Sequence, residues 1–456
     1  MVANDASCNP FLVFPSHKAT LRHLVFKYSA GYFHEPYSET AKIPVDRALL
    51  AMLSPPHPEQ RARVRACLHG LEELHLGVSG MCFLNPESEP TATELGGLLG
   101  AHAPMLKRLY ISRSHSACIL RALPSPERLV ELDVSGGIDK LDFEEIIRFT
   151  HLEKLRLRMV RDVPACQGAL PKLIRLRVLD VLDLQLLCYP GALPRSLQEL
   201  RLEEVKMSCL PQLTALLWCV AEGQLPACKK IHAKEVVGGI ERSYSNDHHE
   251  IDEGMRVSVT NLRQALDAVA DRTVVEVDTY DCQLPREHDS DDMRDLGYDN
   301  LIWSPFELFP SIGHVDLRDV NIRAQDFEEM ARLCPGLQGI RLAKCEFSRV
   351  GMVKWLFDMA RLTSLEVNAE CDALESHGST VLVSAMWVAM FGSQGRQVSV
   401  YLSCICRDGF YEGPEMDAEV KSVMEKLEHS WQSLSPRRAH GVSFEVIHEI
   451  EHVEFF

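Results

Sequence analysis

The chain lacks three features that would assign it to large classes of protein. No apolar run approaches the roughly 20 residues needed to cross a membrane, so no transmembrane helix is expected. The first residues carry no basic region followed by an apolar stretch, which predicts no secretory signal. Positive charge is scarce, because 48 Lys and Arg face 65 Asp and Glu for a net charge of −17. Proteins that grip nucleic-acid phosphates show a basic footprint, so nucleic acid is not the expected partner.

Motifs for catalysis and for cofactor binding are also missing. There is no glycine-rich phosphate loop and no nucleophile elbow, so we expect neither an enzyme nor a cofactor. The 15 cysteines are scattered, and Cys404 and Cys406 are one residue apart, not two as in a zinc site. Cys67, Cys219 and Cys334 lie in apolar elements, which is typical of reduced core thiols. Reduced thiols predict a cytoplasmic or nuclear protein.

Two constellations resemble metal sites, and for both we predict no metal. His448-Glu449-Ile450-Glu451-His452 matches the zinc-peptidase pattern, which requires a helix to bring both histidines to one ion. The preceding residues alternate between apolar and polar, which indicates a strand. The acidic and histidine-rich stretches 247–250 and 287–292 match no calcium-loop spacing, and we interpret them as solvated loops.

What the sequence has in abundance is a repeated apolar hexapeptide with leucine-like residues at its first, fourth and sixth positions. Ten copies are Leu21-Leu24-Phe26, Leu71-Leu74-Leu76, Leu106-Leu109-Ile111, Leu129-Leu132-Val134, Leu152-Leu155-Leu157, Leu176-Leu179-Val181, Leu197-Leu200-Leu202, Ile312-Val315-Leu317, Leu337-Ile340-Leu342 and Leu362-Leu365-Val367. From Leu106 to Leu197 the first leucines are 23, 23, 24 and 21 residues apart. Spacing of this kind indicates an array of stacked units.

The spacing of the motif predicts its structure. In a strand the fourth and sixth residues point to one side and their neighbours to the other. Stacked strands therefore form a parallel sheet with a buried leucine face, which each unit can cover only with its neighbours' help. The return segments have helical periodicity, clearest in 324–333, where Pro335 then stops the helix. Residues 143–149 and 353–362 repeat this pattern.

These repeats resemble those of leucine-rich repeat proteins of the helix-containing, ribonuclease-inhibitor-like kind. The unit from Ile312 to Leu342 is the clearest match, and Cys345 takes the place of the asparagine of other subclasses, as in F-box substrate receptors of ubiquitin ligases. Val160, Val205 and Val320 hold the same place. The resemblance implies an α/β solenoid, a horseshoe with a parallel concave sheet and a helical convex side. No three-helix F-box is found near the N-terminus.

The pattern divides the chain into four regions. We predict an N-terminal cap and a first degenerate repeat in 1–70, and leucine-rich repeats in 71–235. Irregular repeats with an acidic loop insertion follow in 236–310, and further repeats, degenerate toward the C-terminus or forming a cap, in 311–456. In the third region we expect a shortened strand around Ile231, a loop over 243–254, a short helix over 262–269, a strand over 273–277 and a flexible insertion over 285–295. Near the C-terminus we expect helices over 381–391 and 415–434 and strands over 398–402 and 442–447.

The strand residues opposite the leucines are the expected binding surface for a protein partner. On the concave face we predict partner-binding residues Arg108, Tyr110, Glu131, Asp133, Lys154, Arg156, Arg158, Asp180, Glu199, Arg201, His314, Asp316, Arg318 and Arg341. Their charges alternate in sign between neighbouring strands, which lateral ion pairing within the sheet explains equally well. We also expect the three cations of one strand, Lys154, Arg156 and Arg158, to exceed the carboxylates within reach.

The leading functional interpretation is therefore a non-enzymatic scaffold that binds a protein partner. Two alternatives stay open at this point. One is a substrate receptor of a ubiquitin ligase with a divergent or absent F-box. The other is a structural subunit of a large assembly.

Overall fold

The structure is a computed structural model of the 456-residue chain. It describes residues 21–29, 50, 53–79, 88–112, 116–123, 125–135, 137–158, 160–183, 193–239, 248–283, 305–318, 320–322, 324–343, 345–347, 359, 361–370, 398–407 and 442–451.

Strands recur throughout the described part of the chain. They are β1 (His23–Ser29), β2 (Glu73–Ser79), β3 (Arg108–Ser112), β4 (Glu131–Val134), β5 (Lys154–Leu157), β6 (Val178–Asp183), β7 (Glu199–Lys206), β8 (Lys230–Gly239), β9 (Val274–Gln283), β10 (His314–Arg318), β11 (Asn321–Ile322), β12 (Gly339–Ala343), β13 (Glu346–Phe347), β14 (Ser364–Glu370), β15 (Val398–Arg407) and β16 (Val442–Glu451).

Helices lie between many of these strands. They are α1 (Pro58–Leu68), α2 (Ser88–His102), α3 (Ser116–Ala122), α4 (Lys140–Ile146), α5 (Val163–Ala169), α6 (Leu210–Ala221), α7 (His248–Val269) and α8 (Ala324–Leu333). Helix α8 has the bounds that the sequence periodicity predicted. Helix α4 begins with a capping box, in which Asp139 accepts hydrogen bonds from the first-turn amides and Asp142 accepts from the amide of Asp139. A proline in the first turn and the carboxylate of Asp162 start α5 in the same way.

The repeated hexapeptides pair with one another in a parallel sheet. Its strand order is β1-β2-β3-β4-β5-β6-β7-β8-β9-β10-β12-β14-β15-β16, and β11 pairs separately with β13. The fourth residues of consecutive motifs lie opposite each other, as Leu24 does with Leu74 and Leu132 with Leu155. Leu200 and Leu202 of β7 are buried, and the amides of Gln198 and Glu199 donate to the same carbonyl. The strands of all ten predicted repeats therefore lie in register.

Four further strands carry the motif in forms that sequence reading did not align. In β9, Tyr280 lies opposite Val315 and Cys282 opposite Leu317, so aromatic and thiol side chains occupy the leucine positions. Strand β8 buries Ile231 and Ala233. Strands β15 and β16 continue the register, with Val400 opposite Leu365 and Phe444 opposite Val400.

Several local expectations of the third region were wrong. The strand around Ile231 is not shortened, because β8 has 10 residues. Residues 248–254 are helical and not a loop, because α7 extends for 22 residues with an amphipathic pattern over its whole length. The strand expected over 273–277 is confirmed from Val274, and it continues to Gln283, so its leucine-like pair comes later than the apolar run suggested.

The core of each unit consists of aliphatic side chains with cysteine thiols among them. Leu132, Leu155 and Leu179, on three adjacent strands, are all completely buried. Cys219 and Cys334 are buried as predicted, whereas Cys67 is only half-buried. Cys345 stands where other subclasses have asparagine, and its thiol donates a hydrogen bond to the preceding repeat. The sulfur lies 3.2 Å from the carbonyl oxygen of Leu317. Parallel strands, intervening helices and a shared leucine register confirm the α/β leucine-rich repeat fold.

The chain divides into two compact units. The first comprises Met1–Glu203, Ala215–Ile231 and Ala268–Val274, and the second comprises Glu204–Thr214, His232–Asp267 and Val275–Phe456. The boundaries fall inside strands β7, β8 and β9 and inside helices α6 and α7. The four-region division expected from the sequence stays a prediction.

The strands expected over 398–402 and 442–447 are confirmed as β15 and β16. The acidic insertion 285–295, the helices expected over 381–391 and 415–434, most of 353–362, and His452 lie outside the described residues. Among the described helices, none is both long and apolar enough to span a bilayer.

Candidate protein-interaction surface

The strand side chains that point away from the leucines form a polar surface, which we call the polar face of each unit. In β4 and β5 partly exposed residues alternate with buried ones, and β10 continues the alternation. Thirteen of the 14 residues predicted for partner binding lie on this side of their strands, and Arg158 directly follows β5. Arg108 to Arg201 belong to the first unit, and His314, Asp316, Arg318 and Arg341 belong to the second.

A network centred on Glu73 begins the polar face of the first unit. Its carboxylate lies 3.0 Å from Nδ1 of His23, 2.7 Å from Nε2 of His75 and 2.7 Å from Nη1 of Arg108. Each partner is on the same strand or on a directly adjacent one, because the parallel register places residues 23, 73 and 108 side by side. The hydrogen bond with His75 lowers the pKa of Glu73.

Next to this network two rings stack across adjacent strands. The ring centroids of His75 and Tyr110 are 3.8 Å apart with an interplanar angle of 11°. Burial, followed by the negative charges of Glu131 and Glu73, raises the pKa of Tyr110 to about 12. On the other side of His75, the register places Val25, which is 46% exposed. An apolar and aromatic strip therefore interrupts the charged surface.

Three cations of the β5 segment, Lys154, Arg156 and Arg158, are held by carboxylates of the same unit. Nζ of Lys154 lies 2.5 Å from Oε1 of Glu131. Arg156 has three acidic partners, with shortest distances of 3.8 Å to Asp133, 3.2 Å to Asp180 and 3.2 Å to Glu203.

Nη2 of Arg158 is 3.1 Å from the same oxygen of Glu203. The expected surplus of positive charge on this strand was therefore wrong, because Glu203 lies two strands away and still reaches both arginines.

Burial shifts the pKa values of two carboxylates in this cluster. Burial raises the pKa of Asp133 and of Asp180 even though Arg156 acts in the opposite direction on both. Nε of Arg156 lies 3.2 Å from Asp180 but forms no hydrogen bond with any described residue, so the pairing is incomplete. On β7, Arg201 makes a bidentate contact with Glu199, which raises the pKa of the guanidinium.

The polar face of the second unit is arranged differently. Two carboxylates, Asp281 and Asp316, lie directly opposite each other on β9 and β10. Asp316 is well paired: Nη2 of Arg318 is 2.9 Å and Nη1 of Arg341 is 3.4 Å from its Oδ2. Arg341 also reaches Glu366 at 3.1 Å. Asp281 receives only a 3.8 Å contact from Arg318, and its buried Oδ1 accepts no hydrogen bond among the described residues.

Glu235 on β8 adds to this negative charge. Its pKa is raised first by burial and then by the charges of Asp281 and Glu204, with Lys234 acting in the opposite direction. Burial and the charge of Asp316 raise the pKa of Asp281 in the same way. Sequence reading missed Glu204, Glu235 and Asp281 as surface residues of interest. The signal was present as the weak hexapeptides Cys228-Ile231-Ala233 and Val277-Tyr280-Cys282, which carry few aliphatic residues.

The described residues contain no group of three His, Cys, Asp or Glu side chains placed to hold a metal ion. His448 and Glu449 lie on strand β16, as the alternation of the sequence predicted. Burial raises the pKa of the thiols of Cys166, Cys282 and Cys334 to about 12, which keeps them protonated and unreactive at neutral pH.

No family model matches the chain, and no curated protein matches it. Among solved structures, the LRIM1/APL1C complex is similar at 13% identity with a TM-score of 0.26, over 74% of this chain and 67% of that one. A leucine-rich repeat protein of Leptospira interrogans is similar at 11% identity with a TM-score of 0.24, over 68% of this chain and 86% of that one.

Proposed function

We propose that this protein is a non-enzymatic scaffold that binds a protein partner through the polar faces of its sheet. The observation that carries the proposal is a long series of in-register strands whose outward side chains are polar, partly exposed and fixed by their neighbours. A side chain held in place by ion pairs loses little conformational freedom when a partner binds. Such a surface therefore suits recognition by shape and charge.

The aromatic strip of Val25, His75 and Tyr110 supports a protein partner in particular. Interfaces concentrate their binding energy in a few aromatic and arginine side chains surrounded by a polar rim. Here the strip is bordered by the Glu73 network on one side and by Asp133 and Arg156 on the other. A partner with an apolar side chain at this point would exclude water from the strip.

The test is to map the contact on the full chain. Tagged protein is purified from cells together with its partner, and hydroxyl-radical footprinting compares the complex with the free chain. We expect protection of His75, Tyr110 and His314, which lie on the polar faces. Trp218 of α6, which is 39% exposed, and Met105, which is 46% exposed, serve as internal controls.

Protection confined to Trp218 and Met105, with the polar-face residues still reactive, would move the interface off the sheet. The same purification examines the two alternatives. Recovery of a ubiquitin ligase core would favour a substrate receptor, and recovery of a large stable particle would favour a structural subunit.

A further inference from the structure

Two neighbouring turns of the first unit project from the edge of the sheet where strands β6 and β7 begin. In the first turn the amide of Leu176 donates to the carbonyl of Leu173. In the second turn the amide of Leu197 donates to the carbonyl of Pro194. The end residues of both turns are buried, so the central residues are the ones that face outward. The central residues are Ile174 and Arg175 in the first turn, and Arg195 and Ser196 in the second.

The two turns are held side by side. The amide of Gln198 donates to the carbonyl of Arg177, and the hydroxyl of Ser196 lies 2.8 Å from the carbonyl oxygen of Leu176. Lys172 directly precedes the first turn and Arg177 closely follows it, and both are exposed. The edge therefore presents one apolar side chain and four cations. We call this set the turn patch, and it consists of Lys172, Ile174, Arg175, Arg177 and Arg195.

The cations of the turn patch are mostly left unpaired. Arg177 lies 4.0 Å from Glu153. In the part of the chain that the structure describes, no carboxylate lies within ion-pairing distance of Lys172, Arg175 or Arg195. The polar face of the same unit differs, because each of its arginines has a carboxylate partner there. Unpaired positive charge is therefore concentrated at this edge, in a chain whose net charge is −17.

Ile174 is a second, independent feature of the turn patch. Its exposed fraction is 71%, the largest among the described large apolar side chains. The corresponding turn position in four other repeats is a proline, namely Pro104, Pro226, Pro310 and Pro335. Proline fits the first central position of a turn, so turn formation does not explain an isoleucine at this place. An exposed apolar side chain beside arginines has the composition of a protein interface.

We infer that the turn patch binds an acidic segment of another protein, with carboxylates on Arg175 and Arg195 and an apolar side chain against Ile174. Guanidinium groups bind carboxylates through paired, charge-assisted hydrogen bonds. The strongly negative chain is repelled as a whole by nucleic acid and by anionic bilayers. Two turns about 4.8 Å apart also match the width of a single protein segment. The inference goes beyond the proposed function, because the turn patch lies on the edge of the sheet and not on its polar face.

The test measures the binding of a fluorescent peptide to the full chain by anisotropy at low salt. The peptide consists of glutamate and glutamine with leucine at every fourth position. One control peptide has glutamine in place of every glutamate, and a second has serine in place of every leucine.

Two variants of the turn patch have matched controls in the same unit. Arg175→Gln with Arg195→Gln removes two exposed charges. Its control is Arg61→Gln with Arg63→Gln on α1, where both side chains are also exposed. Ile174→Thr removes apolar surface without changing charge. Its control is Leu141→Thr on α4, where the side chain is 51% exposed.

We expect the acidic peptide to bind and both control peptides to bind more weakly. The Arg175/Arg195 variant should weaken binding by roughly tenfold or more, and the Arg61/Arg63 variant by less than about twofold. Ile174→Thr should weaken binding by about fivefold, and Leu141→Thr by less than about twofold. All four variants should melt like the unaltered chain, because the altered side chains are exposed.

Equal weakening by the two arginine variants would mean that the peptide responds only to net charge, and it would overturn the inference. Full binding by Ile174→Thr would also overturn it, because any polyanion would then suffice. Patch-dependent sedimentation with phosphatidylserine vesicles, without peptide binding, would reassign the turn patch to a lipid surface.

A variant of the polar face separates this inference from the proposed function. Weakening by Arg201→Gln, with no effect of the turn-patch variants, would place the peptide on the polar face. That result would overturn the inference and support the proposed function. Absence of any binding would reject the inference and leave the proposed function standing, since the partner of the polar face is a separate question.

Discussion

At the scale of single residues, the packing of the Tyr280 ring requires a glycine at position 238. A Cβ at position 238 would lie 2.4 Å from Oη of Tyr280, whose ring is completely buried at a leucine position of β9. Gly238→Ala should therefore lower the free energy of unfolding by about 1–3 kcal/mol, because the ring has no space into which to move. Urea unfolding of the full chain measures the loss.

Gly339→Ala is the matched control for this substitution. Its Cβ would lie 2.5 Å from the ring of His314, but that ring is exposed and can turn away. We expect a change below about 0.5 kcal/mol, as for other surface substitutions. Tyr280→Leu should partly rescue Gly238→Ala in a double-mutant cycle. Equal effects of the two alanine variants would contradict the packing argument.

A second residue-scale prediction concerns the pH dependence of Asp281. Its pKa is raised above the ordinary value of 3.8, first by burial and then by Asp316. The folded state therefore holds the proton more tightly than the unfolded state, so ionisation destabilises the fold. That destabilisation is absent below the ordinary pKa and fully present above the raised one. Asp281→Asn should raise the Tm at neutral pH and leave it unchanged in acid.

Ionisation of Glu73 has the opposite effect on stability. Its pKa is lowered from 4.5 by the hydrogen bond with His75, so its ionised form stabilises the folded state. That contribution is present above the ordinary pKa and is lost as pH falls through the lowered one. Glu73→Gln should lower the Tm at neutral pH. A shift of the same sign in both variants would exclude this account of the two carboxylates.

At the scale of elements, helix α2 contains two adjacent glycines with different surroundings. A Cβ at Gly96 would lie 2.5 Å from the carbonyl oxygen of Ile119 in α3, whereas a Cβ at Gly97 meets nothing within 4 Å. Gly97→Ala should stabilise the chain by about 0.5–1 kcal/mol through helix propensity. Gly96→Ala should destabilise it by about 1–3 kcal/mol, because a backbone atom cannot move aside without shifting α3. Thermal unfolding of the two single variants separates the effects.

The cluster around Arg156 makes a prediction about three neighbouring strands. Removal of Arg156 leaves Asp133, Asp180 and Glu203 without their shared cation, whereas Arg158 contacts Glu203 alone. Arg156→Met should cost about 1–3 kcal/mol, because partly buried carboxylates lose their compensation. Arg158→Met should cost less than about 1 kcal/mol, because it removes one ion pair and Glu203 keeps Arg156 as a partner.

Denaturant unfolding of the two variants at low and high salt provides the measurement. Added salt should reduce both losses only in part and leave the loss for Arg156→Met the larger, because partly buried pairs are screened less than fully exposed ones. If Arg158→Met proves the more damaging of the two, the distances do not describe the dominant pairs.

At the scale of the whole molecule, the repeats of the first unit should share their stability. Leu155 is completely buried, and its side chain lies between Leu132 and Leu179 on the adjacent strands. Leu155→Ala should cost about 2–5 kcal/mol through lost contacts and the cavity left behind. Because repeats are stabilised by their nearest neighbours, amide exchange should accelerate in β4, β5 and β6 more than in β1.

Leu141→Ala on α4 is the control, since that side chain is 51% exposed. We expect a change below about 0.5 kcal/mol and no change in the exchange of the strands. Acceleration restricted to β5 alone would mean that the unit does not behave as a cooperative array.

The sequence by itself determined the repeated part of this fold. Ten apolar hexapeptides at near-constant spacing were sufficient to place ten strands in register, because a buried sheet face tolerates only one alignment of its aliphatic residues. Alternation along each strand also assigned the outward residues, such as Asp133, Arg156 and Asp180, to one surface. Helix α8 followed from apolar periodicity and a terminating proline.

The tertiary structure decided two features that the spacing of the repeats did not predict. Strands β8 and β9 join the array although Tyr280 and Cys282 replace leucines, because glycine at position 238 makes room for the larger ring. The partners of Arg156 were also set in three dimensions. Glu203 reaches that arginine from two strands away, a contact between residues 47 positions apart in the chain. Ion pairing depends on side-chain reach and desolvation across the sheet, and the linear pattern records neither.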